Sequence, residues 1–302
     1  MRAMLAVCAV LLLSAGCSGA PTGTRSPTQS EAPTRSEPGG GASVGVGAGR
    51  QLFLECRGTG SPTVVLVSGF RGAHDDWTSV LDAAGEPRPS EAAVFPQVAG
   101  FTRVCAYDRP GTTMLDRTPT VSTPVTQPTT AQDGARDLHA LLAAGGTAGP
   151  YVLVAHSWGG LIAHSFATTY PDDVSGLVLV DAGSEFLQSA LTPAQWSTFA
   201  TAAAQPGEPP SLEAADYERS VAAIRAAAAV PPVPAVVLTS DHPFDFGAGE
   251  GTWPAWLLAQ TRLATSLHAT HLTETGSGHF IHGERPELVV DAVRGVASRP
   301  KA

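Results

Sequence analysis

Tyr151-Val152-Leu153-Val154-Ala155-His156-Ser157-Trp158-Gly159-Gly160-Leu161-Ile162-Ala163-His164-Ser165-Phe166-Ala167-Thr168-Thr169-Tyr170 is the stretch from which the rest of the chain can be read. Tyr151 to Val154 is an unbroken apolar run, the pattern of a strand buried on both faces. A tight turn follows, and then an amphipathic helical run. A strand, a sharp turn and a helix with serine at the apex form a nucleophile elbow, in which the turn lifts the hydroxyl clear of the sheet. Strand and helix pass so close there that the positions two either side of the serine must be small. Ala155 and Gly159 meet that requirement. The helix that begins after Ser157 aims its amide dipoles at a place where negative charge can develop.

Outward from this stretch, short apolar runs alternate with helical patterns. Gln51–Cys56, Thr63–Val67, Thr102–Tyr107, Leu177–Val180, Ala235–Leu238 and His271–Thr273 read as strands. Gln132–Ala144, Thr252–Leu267 and Pro286–Val296 read as helices, with another after Trp77. Gly85–Ser90 and the Pro- and Thr-rich run Met114–Thr130 read as irregular. This alternation predicts an α/β fold, with a mostly parallel sheet of about eight strands covered by helices on both faces. One interval lacks a strand. Between Asp181 and Pro234, Thr192-Pro193 caps a helix to about Ala203, and Leu212–Ala229 is a second helical stretch. Residues 184–232 are therefore expected to form a small helical lid.

The N-terminus is of another kind. Ala3 to Leu13 is apolar but too short to remain in a bilayer as a spanning helix. Leu13-Ser14-Ala15-Gly16-Cys17 follows and resembles a bacterial lipobox, which would make Cys17 the lipidated first residue of the mature protein. A plain secretory signal peptide is the alternative, and both readings export the protein. Residues 18–49 are rich in Ser, Thr, Pro and Gly and are expected to form a disordered tether. The assignment is thus 1–17 signal peptide, 18–49 tether and 50–302 folded domain. The net charge of −9 argues against a nucleic-acid partner.

The motifs and their order now point to a family. The apolar strand into Ser68-Gly69-Phe70, then Tyr107-Asp108-Arg109-Pro110-Gly111, His156-Ser157-Trp158-Gly159-Gly160, Gly176–Asp181 and Gly278-His279 together resemble the α/β-hydrolases over about Gln51 to Ala297. They look most like exported bacterial esterase-like members, of poorly defined substrate. The resemblance implies a serine hydrolase with a Ser, acid, His triad in that chain order. It places the nucleophile at Ser157 and the base at His279, in a Gly-rich loop, with His282 set aside. His156 is expected to point away from the site and His164 to be a packing residue.

The acid is less direct. Most relatives carry it as Gly-x-x-Asp after the strand here spanning Ala235–Leu238, but Pro243 fills that place. Asp181, at the end of the preceding strand, is the expected acid, with Asp241 and Asp245 as alternatives. The resemblance implies an oxyanion hole made by the backbone amides of Phe70 and Trp158. Asp108 and Arg109 read as structural. It also makes the strands that carry Cys56 and Cys105 neighbours, and a disulfide between them suits an exported protein.

No histidine pair has convincing metal-ligand spacing, and there is no Gly-rich phosphate loop, so neither a metal nor another cofactor is expected. The expectation is an extracytoplasmic, lipid-anchored or secreted serine hydrolase acting on a small-molecule ester or related acyl compound. Its partners would be that substrate and, through the N-terminal lipid, the membrane. The rival readings are a peptidase or amidase on the same scaffold, and a surface protein that keeps the fold for binding alone.

Overall fold

The central strands bury every residue, and their side chains alternate strictly between two hydrophobic layers. The computed structural model describes residues 40–299. In chain order the strands are β1 (Ala42–Gly47), β2 (Arg50–Arg57), β3 (Thr63–Val67), β4 (Ser79–Leu81), β5 (Pro87–Pro89), β6 (Val104–Tyr107), β7 (Tyr151–His156), β8 (Val174–Val180), β9 (Ala235–Leu238) and β10 (Thr270–Leu272). The helices are α1 (Val94–Ala99), α2 (Ala131–Ala144), α3 (Gly159–Thr169), α4 (Phe186–Ala190), α5 (Pro193–Ala203), α6 (Tyr217–Ala226), α7 (Trp253–Ser266), α8 (Ile281–Glu284) and α9 (Pro286–Ala297).

Eight strands form one sheet in the order β1-β2-β6-β3-β7-β8-β9-β10, parallel from β6 onward and antiparallel at the β1–β2 and β2–β6 pairs. Val65, Val67, Leu153, Ala155, Leu177 and Leu179 face one core layer with Leu138 and Leu142 of α2 and Phe166 of α3. Val64, Leu66, Val152, Val154, Val178 and Val180 face the other with Phe95 of α1 and Val289 and Val293 of α9. Period-two alternation in which both faces are apolar is what a fully covered parallel sheet requires. The fold is that of an α/β-hydrolase.

Several boundaries depart from expectation for physical reasons. The stretch read as tether reaches too far, because Ala42–Gly47 is a strand. Ala42, Val44 and Val46 alternate with the exposed Ser43, Gly45 and Gly47, and the turn to β2 has positive φ at Gly47, Ala48 and Gly49. Its apolar content is too slight to stand out in a composition dominated by small residues. The expected helix from Leu212 starts only at Tyr217. Upstream, the Glu213 and Ala215 amides bond to the carbonyls of Gly111 and Ala203, and the Asp216 side chain caps the helix at Arg219. Residues Pro87–Pro89, read as loop, pair with β4, and the turn around Trp77 is a single 3₁₀ segment, His74–Thr78. The Thr192-Pro193 start is a capping box closed by Gln195.

Cys56 and Cys105 lie directly opposite each other on β2 and β6 and form a disulfide. Cys17 and the segment assigned to a signal peptide lie outside the described residues.

Candidate active site

Parallel strands in register bring their following loops to one edge. Val67 pairs with Ala155, His156 with Val180, and Val180 with Leu238. The residues that follow β3, β7, β8 and β9 therefore share the carboxyl edge of the sheet, where open α/β sheets place their sites. They are Ser68, Ser157, Asp181 and the Thr239–Asp241 run.

Ser157 stands at the turn between β7 and α3 with φ of 50°, in the left-handed region that a residue with a Cβ rarely adopts. The turn is held from outside, since the Ser157 carbonyl accepts from the Gly160 and Gly183 amides at 2.9 and 2.7 Å. Crowding explains the small residues here. A Cβ on Gly159 would sit 2.5 Å from the Val67 carbonyl oxygen, and one on Gly160 would sit 2.6 Å from the Ala182 Cβ.

His279 arrives from the loop between β10 and α8. Its Nδ1–H donates to Asp181 Oδ2 at 2.6 Å. This direction leaves Nε2 as the ring's acceptor. Asp181 is fully buried at the end of β8, itself at positive φ. Its oxygens also accept from the Ser240 amide and hydroxyl and from the Trp256 indole, at 2.9–3.0 Å. Four donors compensate a carboxylate that has lost its water. The Phe244 ring stacks on His279 at 4.2 Å between centroids, and the Trp256 edge meets it at 5.7 Å.

The other two carboxylates do different work. Asp241 accepts from the Gly276 and Ser277 amides, both at 2.9 Å, and so shapes the loop that delivers His279. Those bonds, Gly276 foremost, hold its carboxyl below the usual value. Asp245 is exposed and accepts from the Gly247 amide.

His156 corrects an expectation, because its side chain turns toward the His279 loop. Its Nε2–H donates to the His279 carbonyl at 2.9 Å, and its ring lies 4.6 Å from that of His279 and 4.5 Å from that of His282. Burial, reinforced by the neighbouring histidines, drives the His156 ring well below its ordinary value, and burial brings His282 down to about 3. Both are neutral supports for the loop. His164, on α3, is partly buried beside Glu185, 3.7 Å away.

The Ser68-Gly69-Phe70 loop lies against the elbow, and a Cβ on Gly69 would be 3.2 Å from the Ser157 Cβ. Ser68 fills a structural place, donating to the Ala73 carbonyl while accepting from the Trp77 indole. Arg109 does more than hold a turn. Its guanidinium donates to the Ser68 and Gly69 carbonyls at 2.9 and 2.5 Å and forms a buried pair with Glu213, whose Oε1 is 2.6 Å away. Glu213 Oε2 in turn accepts from the Arg71 amide at 2.5 Å. One ion pair therefore fixes the two consecutive carbonyls that precede Phe70. Glu213 was not singled out from sequence. It stands in a Gly- and Pro-rich connection more than a hundred residues from Arg109, and no local pattern marks it. Asp108 accepts from the His74 amide and ring and from Thr120. Trp158 is buried and stands at the N-cap position just before α3, which leaves its amide at the helix N-terminus beside Ser157.

Ser157 and His279 line a cavity of about 900 Å³. Its lining includes an aromatic group, Phe70, Phe199, Tyr217, Phe244, Phe246 and Trp256, with Phe280 half-exposed. Phe199 and Tyr217 come from α5 and α6, within the strandless interval.

Comparison with known proteins adds the lineage. A family model for the alpha/beta hydrolase fold matches residues 62–214, just over half of the chain. The chain belongs to the α/β-hydrolase family. The match takes in the Ser68–Phe70 loop, Ser157, Asp181 and Glu213, and ends before His279. Among solved structures, this hydrolase resembles a thermophilic esterase from Thermogutta terrifontis at 20% identity and a TM-score of 0.56, covering 85% of this chain and 97% of the other. It also resembles Est816, described as an N-acyl homoserine lactone degrading enzyme, at 18% identity and a TM-score of 0.55, covering 84% and 99%. A third is the epoxide hydrolase CorEH, at 16% identity and a TM-score of 0.54, covering 85% and 97%. At these identities the likeness carries the fold. An uncharacterized protein of Schizosaccharomyces pombe is 33% identical over 148 residues, which are 44% of this hydrolase and 26% of that protein. The hydrolase thus spans about a quarter of the length of that curated relative.

Proposed function

We propose that this hydrolase is a serine hydrolase that cleaves a carboxylic ester or a related acyl compound through an acyl-enzyme. The observation that carries the reading is the 2.6 Å bond from His279 to the buried Asp181, in the same cavity as the Ser157 elbow. Asp181 sets the tautomer that leaves His279 Nε2 free to take the Ser157 proton. Ser157 Oγ then attacks the substrate carbonyl carbon. The carbonyl oxygen takes up negative charge, and the Phe70 and Trp158 amides donate to it. As the tetrahedral intermediate collapses, the C–O bond to the leaving group breaks, and the imidazolium returns its proton to the departing alkoxide. Water, deprotonated by the same imidazole, releases the acid and restores Ser157. The helices of the 184–232 interval act as a lid whose aromatic residues face the acyl or alcohol portion.

A serine at the elbow supports ester chemistry over the epoxide opening named for one structural neighbour, which needs a carboxylate as nucleophile at that place. The esterase and lactone-degrading neighbours suit the same reading. Ser157→Ala should reduce ester turnover by about 10⁶-fold, as loss of a triad nucleophile does. It should also abolish labelling by a fluorophosphonate probe. Substantial turnover by a folded Ser157→Ala variant removes Ser157 from the mechanism.

We also propose an extracytoplasmic location. The Cys56–Cys105 disulfide supports it, because such bonds persist in oxidising compartments. The Cys17 lipobox supports anchorage there by lipid. Cys17→Ser should move the protein from the membrane fraction to the soluble fraction, and absence of metabolic lipid label on the wild type would leave simple secretion.

A further inference from the structure

Asp76 is a carboxyl of the same cavity that the mechanism above does not use. It follows the Ser68–Gly72 loop on the 3₁₀ turn His74–Thr78 and lines the cavity with Ser157 and His279. Its side chain lies against Gly72, where a Cβ would collide with Oδ2. Among the described residues none donates a hydrogen bond to its carboxyl oxygens. The positive groups nearest in influence are engaged elsewhere, Arg109 with Glu213 and His74 with Asp108. Asp75 and Asp108 add negative charge.

The remaining charged groups of the cavity have partners or lie at its rim. Asp245 and Glu284 accept from the Gly247 and Gly278 amides. Arg71 donates to the Glu213 carbonyl and covers the Phe70 ring at 4.8 Å. Arg117 is exposed. A carboxylate without a donor is costly in a wall of this kind, since desolvation disfavours its charge and the charges of Arg109 and His74, each bonded to another carboxylate, offset that only in part. Aromatic walls and an unmatched carboxylate share one complementary ligand, a cationic ammonium group. The ring faces attract it through their quadrupoles and the carboxylate through its charge.

We propose that Asp76 is the anionic subsite for an ammonium-bearing group on the substrate, an inference that rests on the ester-hydrolase reading of this cavity. Burial, with Asp75 beside it, raises the Asp76 carboxyl to about 7. The subsite is therefore switched on as pH rises through neutrality. Below that value Asp76 is neutral and the cation loses its partner. His74, Asp75, Asp108 and Arg109 surround the group, while His156 and His279 share the cavity.

The test compares butyrylcholine with 3,3-dimethylbutyl butyrate, in which carbon replaces the ammonium nitrogen. The ratio of their kcat/KM values within one enzyme cancels the pH dependence of the catalytic histidine. The wild type should prefer the cationic ester by roughly tenfold at about pH 8, and the preference should fade by about pH 5.5. In Asp76→Asn the ratio should stay near one at both pH values. Calorimetry with benzyltrimethylammonium on Ser157→Ala gives an arm independent of turnover: binding should be present there and absent from the Ser157→Ala, Asp76→Asn double variant. Equal ratios in wild type and Asp76→Asn, or a wild-type ratio that does not change with pH, overturn the proposal and leave the ester reading standing. Asp76-dependent ammonium binding without hydrolysis of either ester keeps the subsite and overturns the ester reading. If Asp76→Asn does not fold, the wild-type pH dependence of the ratio decides.

Discussion

Asp181 and Asp241 end or follow adjacent parallel strands and carry the same chemical group, yet their surroundings divide the work between them. Asp181 is sealed beneath the histidine and accepts from one backbone amide and three side chains, the His279 ring among them. Asp241 is exposed, spends both oxygens on the Gly276 and Ser277 amides, and meets only the loop. One sets the ring's protonation geometry and the other sets where the ring is delivered. The difference teaches that proximity in sequence to the usual acid position matters less than which carboxylate is desolvated and aimed at the imidazole.

The contrast is broken most severely at Asp181. Asp181→Asn keeps the volume but no longer enforces the tautomer, and turnover should fall by about 10⁴-fold. A loss below about tenfold in steady-state kinetics, in a folded protein, would give orientation of the ring to another group. Asp241→Asn should cost far less, about tenfold in kcat, because loop position suffers while the ring keeps its partner. The same variant sharpens the comparison through pH. The folded protein holds the Asp241 carboxyl below 3.8, so its stabilising bonds to the loop are complete above that value and are lost as pH falls through the lower, folded one. Thermal melts between about pH 6 and 2.5 should show a wild-type advantage over Asp241→Asn that vanishes at the acid end. Asp245→Asn should alter kcat by less than about twofold, as exposed substitutions commonly do. A larger loss would draw that residue into the site.

Much of this was legible from local pattern. Unbroken apolar runs marked β3, β7, β8 and β9, because full burial on both faces leaves no polar position in a strand. Small residues around Ser157 marked the elbow, because backbone crowding there is a local constraint. The choice of Asp181 drew on Pro243 excluding the usual position and on a strand end facing the site. What escaped was long-range or weakly apolar. Strand β1 is built of small residues that composition alone assigns to a linker. The inward turn of His156 depends on the His279 carbonyl, more than a hundred residues away. Glu213 fell within a stretch read as helix that in fact begins only at Tyr217, and only the folded chain places it beside Arg109.

That last pair ties two distant positions together in evolutionary terms. Losing either Arg109 or Glu213 alone strands a buried charge, at a cost of about 3–5 kcal/mol, whereas an apolar pair of matching volume can be neutral. A lineage that changes one must therefore pass through a weakened intermediate or change both. Across homologues, positions 109 and 213 should covary more tightly than either does with its sequence neighbours, a record of the loop beside Ser157 written far from the elbow itself.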